Sequence, residues 1–322
     1  MILSLQKAVS SRIGKILGDE AALEEYKYPL HDAGLFGPGT PVWRVHSDLP
    51  SMLIGGISSL MLQSLHPLPM AAVADHSSYK EDPFGRFQRT VAFVAGTTFG
   101  STEMANGLID RVKSIHDKIS GTSPKYGGYR ASDPNLLTFV HTAEVSSFLR
   151  AYQRFSLNPL TKDETDLYYR EVSLVAELLG AQAVPKSSSE VKAYFAGIRK
   201  DLCATEEAKE ALEFLRNGLP DRITGGVVSG STETKKRSRS GPAGELTYFS
   251  SVVFTEAAYE LLFYWAKDLF GAKEKIKPSF VVPSALLACS ALRHLVGPSK
   301  AQKIALQRSS GILADDNPGH LL

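Results

Sequence analysis

Residues 49 to 65, LPSMLIGGISSLMLQSL, place Met52, Leu53, Ile54, Ile57, Leu60, Met61 and Leu65 almost all the way round a helical wheel. A helix of that kind offers no face to water, so it must run through the middle of the body it belongs to. Asp48 stands at the N-cap position with Pro50 in the first turn, and the spacing predicts a helix from Leu49 or Pro50 to about Leu65. Gln63 and His66 close this run. Each needs a hydrogen bond inside the protein, because a buried polar group without one costs on the order of 1–3 kcal/mol.

The same periodicity extends over most of the chain. Asp82 and Pro83 open a segment that runs to Gly100 and Ser101, and Thr102 and Glu103 open another that turns Met104, Leu108, Val112, Ile115 and Ile119 inward. Asp133–Pro134 starts NLLTFVHTAEVSSFLRAYQRF, Gly180 ends KDETDLYYREVSLVAELLG, and a serine cap after Pro185 opens SSSEVKAYFAGIRKDLC. TEEAKEALEFLRNG, SSVVFTEAAYELLFYWAKDLFG and PSALLACSALRHLVG are further apolar helices. No segment alternates as a strand should, so the expected class is all-α, a single large helical domain. Helices from about Leu49 to Phe155 read as its ligand-binding core and the later ones as buttress. Residues 1–24 read as an N-terminal helix and 25–270 as the main domain. Residues 271–322 read as a C-terminal helix and a tail that frays from Gln307. Two Gly/Pro-rich stretches, HDAGLFGPGTPVWRVHSDLP and GTSPKYGGYRASD, read as loops, and a Gly/Ser/Thr/Lys/Arg stretch at about 222–247 reads as a mobile one.

Composition excludes several function classes. A net charge of +2 is too small for a general affinity for nucleic acid. Cys203 and Cys289 are the only cysteines, which provides neither a disulfide framework nor a zinc cluster and suits a reducing, cytoplasmic setting. Lys7, Arg12 and Lys15 interrupt the apolar N-terminus, so no signal peptide or stable membrane insertion is expected there. Its stripe of Leu3, Leu5, Val9, Ile13, Ile16 and Leu17 packs on the body, with membrane-surface contact as the second reading. There is no Walker loop, and GLFGPG neither follows a strand nor opens a helix. No His-Glu-x-x-His, Cys-x-x-Cys or Gly-x-Ser-x-Gly occurs. The partners expected are therefore a hydrophobic small molecule and, through the chemistry below, dioxygen.

Polar side chains concentrate between Gln63 and His141. Read as a helix, DPFGRFQRTVAFVAGTTFGS sets Arg86, Arg89, Thr90 and Phe93 on one stripe, and His66, His76, His116 and His141 are half of the eight histidines. The bland alternative is a solvated arginine face with hydrogen-bonded core histidines. Isolated inward imidazoles, apolar helix faces and cations also suit non-covalent haem, where one imidazole binds iron and cations meet propionates. His141, in mid-helix, is the first choice of ligand, and Glu144 one turn on could orient it or pair with Arg150 or Lys162. His116, near a helix end, is the second.

Trp43-Arg44, Gln63 with His66-Pro67, DHSSY, DPFGRFQRT, FGS, the His116–Gly121 segment and YRASDPNLLTFVH together resemble the MpaB-type and rubber-oxygenase (latex-clearing protein) domain family, over roughly residues 25 to 270. The resemblance implies an all-helical domain with globin-like central packing and, where haem is established, haem b on a single proximal histidine. It implies oxygenase chemistry with dioxygen on apolar, isoprenoid-type substrates. Carried over, Arg86 and Thr90 match the family's arginine and threonine on the haem-side helix, and LLTFVHT places the proximal ligand on His141, with His116 second. Arg86 and Arg44 are the cations expected at the cofactor, and Arg86, Arg89, Thr90 and His66 the polar groups expected around bound oxygen. Arg89 stands where rubber oxygenases have a distal lysine, and a guanidinium is bulkier and not readily neutralised. Two other classes fit the same residues, a non-catalytic haem or lipid carrier and a haem-free helical enzyme. Oligomeric state has no signature in the sequence.

Overall fold

The computed structural model describes residues 20–76, 83–218 and 242–312. The N-terminal helix expected over 1–24 lies outside them up to Asp19, and a 3-10 helix follows at Glu20–Tyr26. In chain order the helices are α1 (Pro41–Ser47), α2 (Leu49–Gln63), α3 (Pro67–His76), α4 (Pro83–Phe99) and α5 (Thr102–His116). After a hairpin, β1 (Ser120–Ser123) and β2 (Gly127–Arg130), come α6 (Pro134–Phe155), α7 (Lys162–Leu179), α8 (Ser188–Ile198) and α9 (Glu206–Glu213). The last are α10 (Pro242–Glu260), α11 (Tyr264–Phe270), α12 (Pro278–Val296) and α13 (Lys300–Ser310). The all-α reading holds apart from that two-stranded antiparallel hairpin, Ser120 opposite Arg130.

The central helix is α2, and its principal partner is α6. They meet through small residues. Ser51, Gly55 and Ser59 recur every fourth residue on α2, as Ala143, Ser147 and Ala151 do on α6, and all are buried. At Gly55 the backbones nearly touch, since an added Cβ would stand 2.8 Å from Phe148 Cα and 2.9 Å from the Ser147 carbonyl oxygen. Gln63 finds its partner across the same contact, donating to the Val140 carbonyl at 3.3 Å.

Helix starts follow the caps. The Asp133 carboxylate accepts from Asn135 N–H at 2.8 Å, Thr161 and Glu164 form a capping box on α7, and Gly180 ends α7 at φ 108°. Asp48 departs from its expected part. Its carboxylate makes no cap bond and instead takes the Ser51 hydroxyl and, at 2.6 and 2.8 Å, the Arg293 guanidinium of α12.

Four expectations need correction. The stretch read as a loop before Asp48 contains α1, capped by the Thr40 hydroxyl with Pro41 in its first turn. The segment 120–133, also read as a loop, forms the hairpin. The later helices are core rather than buttress, since α10 packs directly on α2 and buries Val253, Phe254, Ala257, Ala258 and Tyr259. The tail does not fray from Gln307, because α13 runs to Ser310 and Arg308 is fully buried. Of the loop expected at about 222–247, α10 already begins at Pro242, and 219–241 lie outside the described residues.

Arg308 donates to the carbonyls of Asp32 at 2.9 Å, Tyr26 at 2.8 Å, Phe99 at 2.9 Å and Gly100 at 3.0 Å. It thereby satisfies the carbonyls at the C-terminal end of α4, which have no partner within their own helix.

Gly55→Ala is expected to cost about 1–3 kcal/mol, because backbone rather than a flexible side chain must yield. Gly107 in α5 has nothing within 4 Å of an added Cβ, and Gly107→Ala should be neutral or stabilising by up to about 1 kcal/mol. Urea unfolding of the two variants measures the difference.

Candidate active site

Along α6 nearly every residue from Leu136 to Leu149 is buried, but His141 and Glu144, one turn apart, are only half-buried. Burial nevertheless governs their titration. It brings the His141 imidazolium down to about 4 and pushes the Glu144 carboxyl up to about 7, and no neighbouring charge contributes to either. Both are shielded from bulk water by the helices packed around them while keeping some accessible surface. Neither side chain has a hydrogen bond or ion pair among the described residues. Glu144 does not pair with Arg150, whose guanidinium stacks 3.9 Å from the Phe263 ring centre instead.

A second imidazole approaches His141 from α1. His46 Nδ1 lies 2.7 Å from the Thr98 hydroxyl of α4, and Nε2 lies 3.2 Å from the Tyr168 hydroxyl of α7. The Tyr168 hydroxyl also donates to the Val145 carbonyl at 3.4 Å, so both imidazole nitrogens of His46 are held by hydroxyls anchored on neighbouring helices. Burial, and secondarily a positive charge on His141, pull the His46 pKa down to about 3. Burial likewise holds the Tyr168 phenol well above its ordinary range. Phe148 and Tyr168 meet the imidazole edge-on at 5.6 and 5.9 Å. One turn earlier, Trp43 packs edge-on against Phe99 at 5.1 Å.

The residues picked from the sequence are distributed more widely. Arg86, Arg89 and Thr90 lie on the N-terminal half of α4, with Arg86 half-buried and the other two exposed; the Thr90 hydroxyl donates to the Arg86 carbonyl at 3.2 Å. The stripe Arg86, Thr90, Phe93, Thr97 passes from this outer half into the core, where Thr97 is buried. Arg44 is engaged by Glu164 at the start of α7. His66 is buried, accepts from Leu68 N–H at 3.3 Å and packs 4.9 Å from Phe139. His116 ends α5 with a buried Nδ1 that has no hydrogen-bond partner among the described residues. His76 is exposed and bonds the Ser120 carbonyl at 3.2 Å.

The structure therefore gathers His46, Thr98, Tyr168, His141 and Glu144. His46 and Thr98 escaped the sequence reading, because they sit 52 residues apart and in elements whose meeting has no local signal. Glu144 was visible at its spacing from His141, but not its isolation. Among the described residues no three His, Cys, Asp or Glu side chains could together hold a metal ion. A macrocycle-held iron asks for less. One neutral imidazole suffices, and His141 fits, being neutral at ordinary pH and without a competing hydrogen bond.

The family described as ER-bound oxygenase mpaB/B'/rubber oxygenase, catalytic domain, matches residues 43–291. No curated protein and no solved structure matches the chain.

The isolation of Glu144 has a measurable consequence. Its carboxyl is neutral in folded and unfolded chains below about pH 4.5, and the stability that goes with the neutral acid is lost as pH rises through about 7. Glu144→Gln should leave stability unchanged near the acid end of that window and raise it by on the order of 2 kcal/mol above the window. Urea unfolding at both ends measures this, and a variant weaker than the wild type above pH 7 would show that the carboxylate has a partner.

Proposed function

Since the chain belongs to the mpaB/rubber oxygenase family, an oxygenase family, we propose that it is a haem b-dependent oxygenase acting with dioxygen on an apolar, isoprenoid-type small molecule. The observation that carries the haem assignment is His141, a half-buried imidazole in mid-helix with no hydrogen bond among the described residues, held neutral by burial.

Haem, when bound, supplies redox-active iron for reaction with dioxygen. His141 supplies the ligand nitrogen. His46 stays neutral and oriented by Thr98 and Tyr168, so it adds no charge beside His141. Glu144, near pKa 7, can hold a proton on its carboxyl or release it at physiological pH, which neither histidine can do. Arg86, Arg89 and Thr90 form the polar edge on α4. Arg86 is the cation assigned to a propionate, and Arg89 the one assigned to oxygen or ligand affinity. Arg44 and His66 stand apart from this edge, Arg44 engaged by Glu164 and His66 by the Leu68 N–H. The apolar walls, Phe148 among them, suit a hydrocarbon substrate.

Protein produced with adequate haem supply should show a Soret band, and His141→Ala should lose it or need added imidazole to restore it. Arg89→Ala should keep the band and change ligand affinity. A band lost in His116→Ala and kept in His141→Ala would move the iron ligand to His116, and protein that stays colourless under haemin titration would defeat the haem reading. Oxygen uptake in the presence of an alkene then separates turnover from storage.

A further inference from the structure

Helix α12 is built inside out. Only Val281, Ala285 and Cys289 are buried, a narrow stripe of small side chains on α10 and α2, while Phe280 at 66%, Leu286 at 41% and Leu287 at 74% are exposed. Pro283 and Ala291 are exposed on the same outer face, together with the polar Ser290 and His294, while Val282, Ala288 and Leu292 are partly buried against the core. A helix at the surface of a water-soluble protein turns its large apolar residues to the core, so the reverse arrangement marks a contact surface. An 18-residue window of this 19-residue helix reaches a mean hydropathy of 1.5, enough in length and composition to cross a membrane.

Charge identifies what covers this face. Residues 271–312 hold seven lysines and arginines and a single acid, Glu274, in a chain whose total is only +2. Two of the seven are internal, Arg293 on Asp48 and the buried Arg308. The other five, Lys273, Lys275 and Lys277 before α12 and Lys300 and Lys303 after it, are exposed, so an apolar ridge ends in lysines at both ends. A second protein would have to match both the ridge and the lysine clusters, whereas an anionic bilayer offers acyl chains beneath a continuous negative surface. Crossing the bilayer is ruled out by the helix's own bonds. Arg293 is tied to Asp48 and, at 2.7 Å, to the Phe155 carbonyl, which keeps the inner stripe in the core.

We propose that the outer face of α12 docks on an anionic lipid surface with the helix axis in the membrane plane. This goes beyond the reaction at the histidine site and does not depend on haem. The full chain is mixed with phosphatidylcholine vesicles with and without phosphatidylglycerol at about 0.1 M salt, and bound protein is read by flotation. Expected are binding to the anionic vesicles, weakening with added salt, and at least a roughly tenfold loss of partition in Phe280→Glu/Leu287→Glu. Both side chains are exposed, so circular dichroism and melting of that variant should match the wild type. Deletion of residues 1–19 should leave binding in place. The proposal is overturned if the wild type ignores anionic vesicles, or if the truncation abolishes binding while the double variant retains it. It is also overturned if the double substitution converts a dimer into a monomer without changing vesicle partition, which would make the face an interface between copies.

Discussion

The approach of α2 to α6 at Gly55 sets the spacing of everything around it. Two helices whose backbones touch cannot slide or separate without opening a void along Ser51, Ser59, Ala143, Ser147 and Ala151, so α6 is held in one register against the centre of the domain. Gln63 reinforces that register by reaching the carbonyl of Val140, the residue before His141. With one side of α6 committed to this seam, His141 and Glu144 emerge beside it, toward His46 of α1 and Tyr168 of α7. Their position is a consequence of a close backbone contact between two helices rather than of any loop.

A fold optimised for stability alone would not leave an imidazole and a carboxyl there without partners. Burial moves the two in opposite senses, the base becoming harder to protonate and the acid harder to ionise, and each shift opposes folding in the pH range where the charged form would otherwise prevail. By contrast the nearby buried pair Arg216 and Glu256 is fully matched, with two bonds of 2.9 and 2.6 Å and a third to the Lys273 carbonyl. The chain thus satisfies buried charge where structure needs it and withholds partners along α6. That difference marks His141 and Glu144, along with the buried and unpartnered Nδ1 of His116, as candidates for chemistry rather than structure.

Much of the helical frame was legible because its signals are local. Asp133, Thr161 and Gly180 announce helix ends by side-chain chemistry or backbone freedom within a few residues, and the all-round apolar run of α2 announces a central helix. The miss at α1 came from weighting the glycines of GLFGPG above the Thr40–Pro41 pair, which is itself a helix-start signature. The hairpin at Ser120–Arg130 is made of small polar residues with no alternation to read. At the site, the individual helices could be read but not their juxtaposition. His46, Thr98 and Tyr168 are joined across separations of 52 and 122 residues, and no periodicity encodes that. The outward turn of Phe280 and Leu287 was equally hidden, since an apolar run looks the same whichever side it presents.

Arg308 links the two ends of the chain in time as well as in space. A ribosome releases α4 long before it reaches residue 308, and until then the carbonyls of Phe99 and Gly100 have only water or improvised partners. The same holds for Tyr26 and Asp32. Thr98, which fixes His46, lies one residue from this junction. The nascent domain therefore completes the surroundings of its candidate histidine site only once α13 has emerged, so a segment more than 200 residues downstream of α4 sets when this region can assemble.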